Sequence, residues 1–175
     1  MAQRPTVLGS LIDSLLGAVA DYAAALDVTN DVRTWYEAMK REIVRSHIQA
    51  TIAGRGGMLR TRVTDWARVT RQIREEFRYL RQFAVDIVEK NLSTAQIAAR
   101  SALYSNHAQV SFWSAKDAGQ KAQGFTQERR VLGAAEHCAD CVGYASQGWV
   151  PIGSLPAPGD GSVCRANCQC TKEYR

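Results

Sequence analysis

The residues best equipped for chemistry in this 175-residue chain are its five cysteines, all of which fall between Cys138 and Cys170. Their spacing is C-x2-C-x22-C-x3-C-x-C. An odd number cannot pair completely within one chain, and a close Cys-x-x-Cys followed at a distance by a second cysteine group is the pattern of tetrahedral metal ligation. In Cys138-Ala-Asp-Cys141 two sulfurs sit on one tight turn and can reach a single Zn2+ at about 2.3 Å. The second half offers Cys164, Cys168 and Cys170, with His137 as a substitute, so the candidate ligands outnumber the four positions of one zinc. Disulfides and free thiols are the two other states the same residues allow. A thiolate-rich site with no open position is structural, and it would clamp the connection 142–163 against whatever precedes it. Tyr144, Trp149, Ile152 and Leu155 are the large apolar anchors of that connection, and Pro151, Pro156 and Pro158 stiffen it.

Catalytic motifs are missing. His47 and His107 are each followed two positions later by Gln, so the H-x-E of zinc deaminases is not formed. The Cys-x-x-Cys lacks a βαβ context for thiol redox chemistry, and there is no G-x-S-x-G, H-E-x-x-H or P-loop. The expectation is a protein that is not an enzyme. His47 lies on an apolar helical stripe and reads as a core residue.

What must position the cysteines is helical. Apolar residues recur at three- and four-residue steps up to about residue 137, after which Gly and Pro break the pattern. A first helix carries Leu8, Leu11, Ile12, Leu15, Val19, Tyr22 and Leu26; Asp13 interrupts the apolar stretch that would otherwise imitate a signal peptide. A second begins near Asn30 or Asp31, buries Val32, Tyr36, Met39, Ile43, His47 and Ala50, and stops at Gly54-Arg55-Gly56-Gly57, a turn or mobile loop. A third runs from about Trp66 to Lys90 on a stripe of Trp66, Val69, Ile73, Phe77, Leu80, Ala84, Ile87 and Val88, and Asn91 closes it. Ser93-x-x-Gln96 is a capping box inside a Leu92/Ile97 staple and opens a fourth, whose Ala95, Ala98, Ala99, Ala102, Ser105, Ala108 and Ala115 admit a close neighbour. The predicted fold class is mainly α: an elongated body of four to five helices with a small irregular Cys-rich C-terminal knot. The predicted parts are 1–64, N-terminal helices and Gly-rich loop; 65–137, long-helix body; and 138–175, the knot. No apolar run reaches bilayer length, so no membrane partner is expected.

The formal charge is +5 with a pI near 9.1, a balance that favours polyanionic partners. Between Arg55 and Arg81 eight Arg face only Asp65, Glu75 and Glu76, which accounts for the whole excess. Arg68, Arg71, Arg74, Arg78 and Arg81 fall within an arc of about 140° on a helical wheel. Their forked donors match phosphate oxygens, making them candidate DNA contacts, although such a stripe is also an ordinary solvated face with little aromatic interleaving for base stacking.

The C-terminal third resembles a known group. His137-Cys138-Ala-Asp-Cys141, then Gly148-Trp-Val-Pro-Ile-Gly153-Ser-Leu-Pro-Ala-Pro-Gly159, then Cys164-Arg-Ala-Asn167-Cys168-Gln-Cys170 are similar to the end of phage Mu F-like head morphogenesis proteins, the minor head proteins of tailed bacteriophages. Ala99-Arg100-Ser101 and Asn106 sit where that family has an Ala-Arg-Thr helix start and a following Asn. The resemblance covers about residues 90 to 175. It departs at Arg165-Ala166, where the family has His-Pro, with Cys164 one position earlier as a replacement ligand, and at Arg130-Val131-Leu132, where the family often has a Trp. It implies a virion protein made in the bacterial host cytoplasm, a minor capsid component that is portal-associated or lies on the inner capsid surface, oligomeric within the particle, and in reach of the portal protein, the major capsid protein and packaged DNA. The competing expectation is a zinc-stabilised nucleic-acid-binding module presenting Arg165, Lys172 and Arg175.

Overall fold

The computed structural model describes residues 32–175. The helix expected around Leu8 to Leu26, and the caps Asn30 and Asp31, lie outside the described residues. Among those described, four α-helices and a three-stranded sheet follow in the order α1 (Val32–Arg55), α2 (Val63–Glu89), α3 (Thr94–Ala122), β1 (Gln127–Val131), α4 (Ala139–Ser146), β2 (Val150–Pro151) and β3 (Thr171–Tyr174). Short 3-10 turns occupy Met58–Arg60 and Arg165–Asn167. The fold is mainly helical with a small Cys-rich C-terminal region, as the periodicity predicts.

The three long helices share one apolar core. Trp35, Met39 and Ile43 of α1, Leu80, Phe83 and Ile87 of α2, and Ile97 and Tyr104 of α3 are buried together. Trp35 meets the Phe83 ring edge-on at 5.0 Å, and Phe83 stacks on Tyr104 at 6.3 Å. Met39, Ile43, Leu80 and Ile87 of the predicted stripes lie in this core, whereas Trp35 and Phe83 lie beside those stripes and Val32, Tyr36, Ile73, Phe77 and Ala84 are half-buried at the core edge. Val88, placed in the α2 stripe by its spacing, is 67% exposed. Burial of the eight core residues supplies most of the cohesion of this region, at about 1.5–3 kcal/mol per large side chain.

The helix ends follow their local chemistry. The Ser93 hydroxyl accepts the Gln96 amide at 3.3 Å and the Gln96 side chain accepts the Ser93 amide at 2.9 Å, the capping box read from the sequence. Asn91 adopts φ 46°, and the Leu92 amide donates back to the Ile87 carbonyl, closing α2 in a left-handed turn. Helix α2 begins one turn before the expected Trp66 because the Asp65 carboxylate accepts the Arg62 amide at 2.8 Å.

The Gly54–Gly57 segment is a built corner and not a mobile loop. Gly57 donates to the Ile52 carbonyl, and buried Arg55 pairs with Asp65 at 3.1 Å while donating to the Arg60 carbonyl at 2.9 Å. Gly54 is still helical, and a Cβ there would sit 2.1 Å from the Phe112 carbonyl oxygen. That contact explains the small residues of α3: Ser101, Ser105, Ala108, Ser111, Ala115 and Gly119 are buried, and the close neighbour they admit is α1 of the same chain.

The sheet has the order β2-β1-β3 and is antiparallel throughout. β1 is the central strand, so the connection that follows it returns twice to the same edge-sharing ribbon. Glu128 lies opposite Val150 on one side and Tyr174 on the other, while Arg130 faces Lys172. No helix of the described residues is long and apolar enough to cross a membrane.

Candidate metal centre

Two chain segments converge to form the cysteine cluster. Cys138 caps α4 from its N-terminal side and Cys141 lies in its first turn, while Cys164, Cys168 and Cys170 flank the 3-10 turn that leads into β3. No disulfide joins the five cysteines, which come together in one cluster against which Leu132 packs. Cys141, Cys168 and Cys170 are buried; Cys138 and Cys164 are half-buried. The Cys141 sulfur is 3.5 Å from that of Cys164 and 3.7 Å from that of Cys168. A tetrahedral zinc with bonds of about 2.3 Å sets its sulfurs about 3.8 Å apart, so these separations suit ligands of a shared ion. The cluster can therefore hold a metal ion.

The surroundings favour thiolate at particular positions. The Cys141 amide lies against the Cys138 sulfur and lowers its pKa to about 7. Hydrogen bonding from the Cys170 thiol lowers Cys168 to about 4. Burial pushes Cys141 up to about 12 and raises Cys164, and the bond to Cys168 raises Cys170. Crowded thiols without a cation thus divide into anions and donors, and a divalent ion is the group that lets all of them ionise together. His137 joins the edge of the cluster. Its Nε2 is 2.9 Å from the Gly133 carbonyl, which can only accept, so that nitrogen carries the proton. Its Nδ1 is then the lone-pair nitrogen, 3.9 Å from the Cys170 sulfur. The backbone carbonyl thus fixes the tautomer with the lone-pair nitrogen toward Cys170, while the ring lies outside both groups of mutually close sulfurs.

The knot is anchored to the body by buried charge, which the sequence reading missed. Lys172 is fully buried at its side chain and donates to Glu128 at 2.6 Å, to Asp117 of α3 at 2.8 Å and to the Leu155 carbonyl at 3.1 Å. The second Glu128 oxygen accepts the Gly153 and Leu155 amides, each at 2.9 Å. Lys172 is thus unavailable to nucleic acid, against the expectation that the knot displays it; Arg165 is exposed. Tyr174 donates to Asp117 at 2.7 Å, and Arg130 reaches the Pro156 carbonyl at 2.5 Å. The expected anchors also take part: Ile152 and Leu155 are buried, Tyr144 donates to the Gly161 carbonyl at 2.6 Å, and the guanidinium groups of Arg129 and Arg175 both lie over the Trp149 ring.

The five predicted arginines of α2 are all exposed. Arg68 pairs with Asp65 and Arg78 with Glu75, whereas Arg71, Arg74 and Arg81 reach no carboxylate among the described residues. Arg100, one of the residues carrying the family resemblance, ties α3 to α2: it meets Asp86 at 2.5 Å, lowering that carboxyl to about 2, and lies over Phe83.

Two histidines are structural. His47 is fully buried with Nδ1 2.7 Å from the Ser111 hydroxyl, and burial lowers its pKa to about 4, so it is neutral at pH 7. His107 bonds the buried Glu76 carboxylate; burial opposes its charge, but Glu76 outweighs that and raises its pKa. It lines a cleft of about 890 Å3 between α2, α3 and the loop 159–167, whose charged lining is acidic Glu75, Glu76, Asp140 and Asp160 and basic Arg100 and Arg165. Tyr79, Leu103 and Val163 give this cleft an exposed apolar lining. No protein-family model, curated protein or solved structure matches this chain.

Proposed function

We propose that this chain is a structural, non-enzymatic minor head protein of a tailed bacteriophage, acting in head morphogenesis near the portal or the inner capsid surface. One observation carries the reading: the Cys-x-x-Cys pair, the Gly/Pro connection and the closing Asn167-Cys168-x-Cys170, which together resemble the phage family, fold as one unit around a common cluster. In this reading zinc is the metal and its role is to clamp the knot. It fits the donor set, since thiolates with one carbonyl-oriented imidazole are preferred zinc ligands. The protein is a virion component assembled in the host cytoplasm, in several copies, with the portal or major capsid protein as partner. Because the small-residue face of α3 is occupied by α1, the docking surface is the cleft lined by Tyr79, Leu103 and Val163.

The unpartnered Arg71, Arg74 and Arg81 favour an additional contact with packaged DNA. Charge reversal of these three should abolish salt-sensitive DNA retention; equal retention at low salt removes the DNA contact from the proposal. The main test is the composition of particles produced by the genome that encodes the chain. Its peptides are expected in purified full heads, and the chain should co-purify with the portal protein of that genome. Complete heads without it, or sequence-specific binding of the isolated protein to one DNA site, would replace this function with the nucleic-acid-binding module.

A further inference from the structure

We propose that the cysteine cluster holds two divalent d10 cations of the zinc class, bridged by the Cys141 thiolate. This deepens the metal-clamp reading above and rests on it. The sulfurs do not form a single tetrahedron. They form two triangles, Cys138/Cys141/Cys164 and Cys141/Cys168/Cys170, in each of which the sulfurs lie within 4.8 Å of one another, and Cys141 is the vertex common to both. It is buried at the junction, with Cys164 at 3.5 Å on one side and Cys168 at 3.7 Å on the other. Both distances match the edge of a tetrahedron about a zinc-sized ion, which is about 3.8 Å for bonds of 2.3 Å.

The two triangles differ in their fourth donor. The Nδ1 of His137, freed by the bond from Nε2 to Gly133, is 3.9 Å from Cys170 at the edge of the second triangle and outside its 4.8 Å group, so it becomes the fourth donor by moving toward the ion. The first lies at the half-buried side of the cluster, where the Ser162 hydroxyl is 3.3 Å from the Cys164 sulfur, so in this proposal solvent supplies its fourth donor. Charge points the same way. Five thiolates around one dication leave three negative charges uncompensated in a largely buried cluster, whereas two dications leave one. The five-cysteine count, one too many for a single closed site, is accounted for with no thiol left over.

Metal content of the full-length protein, expressed with zinc and measured by elemental analysis against amino-acid quantification, tests this directly. Two zinc ions per chain are expected. Cys138→Ser and Cys170→Ser should each retain one, since each dismantles only one triangle. Replacement by cadmium-113 should give two resonances split by coupling through the shared sulfur. One ion per chain in the unmodified protein overturns the two-ion site and leaves the metal clamp standing. No bound metal overturns both, and iron with acid-labile sulfide overturns the d10 assignment. Because the unmodified chain gives the deciding number, a variant that fails to fold does not blunt the test.

Discussion

The helical body and the C-terminal knot are held together by opposite means. In the body, Trp35, Met39, Ile43, Leu80 and Phe83 are almost fully buried in one apolar cluster, and the ion pairs Arg55–Asp65 and Arg100–Asp86 lie outside it. In the knot the innermost groups are Cys141, Cys168, Cys170, Glu128 and Lys172, with only Ile152 and Leu155 as large buried aliphatics. Apolar burial is non-directional and tolerates small shifts, whereas thiolates and buried charges stabilise only when their partners are in place. The body is therefore expected to lose stability in increments, and the knot to lose it all at once when a partner is withdrawn.

The contrast can be broken most severely by chelation. Structural zinc contributes on the order of 10 kcal/mol to small metal-folded units, so if the knot is zinc-clamped as proposed, a strong chelator should collapse amide protection across 127–175 while α1 to α3 keep most of theirs, as hydrogen exchange would record. Uniform loss along the whole chain would show that the two regions are one cooperative unit. Phe83→Ala is next, with about 3–5 kcal/mol lost from a fully packed site; denaturant unfolding should show this loss with metal content unchanged. Lys172→Met should cost roughly 3 kcal/mol by leaving buried Glu128 unpaired, and exchange should quicken first at Gly153 and Leu155, whose amides Glu128 holds.

Acid distinguishes the regions more gently. His47 has a folded pKa lowered from 6.5 to about 4 by burial, so the unfolded chain binds its proton first. Its contribution is complete above pH 6.5 and is lost as pH falls from 6.5 toward 4, at most roughly 3 kcal/mol for a shift of this size. Glu76 and His107 face it and act in opposite directions. His107, with a raised pKa, contributes fully below 6.5 and loses its share as pH rises through its folded pKa, so the two windows do not overlap. A His47→Gln variant should flatten the acid limb measured by thermal melts. Ser93→Ala is the smallest change, about 1 kcal/mol from the α3 cap, and should shift the urea midpoint without altering metal binding.

The body was legible because its information is periodic or local. The Ser93/Gln96 box, the Asn91 turn and the α2 stripe are each written within a few residues. What escaped was rotational detail: Trp35 and Phe83 lie one residue away from the predicted stripes, since the core is centred where three helices meet and not where any one is most apolar. The cysteine cluster was legible from spacing alone, but the sheet beside it was not. β1 places Glu128 and Arg130 at its buried positions, so its alternation is one of charged residues and carries no apolar signal. β2 is two residues long and contains Pro151. The partners that make burial of Glu128 tolerable, Lys172 and the 153–155 amides, are distant in sequence, and no short-range rule finds them.

Helix α3 reaches from one region into the other. Its N-terminal half contributes Ile97 and Tyr104 to the body core, while Asp117 near its far end holds Lys172 and Tyr174. Its 29 residues span about 44 Å at 1.5 Å each, with no proline and no glycine before Gly119. Mechanically it is a shaft fixed at both ends. With no hinge residue between its two anchored ends, it fixes the distance between the Tyr104 core and the Lys172 anchor.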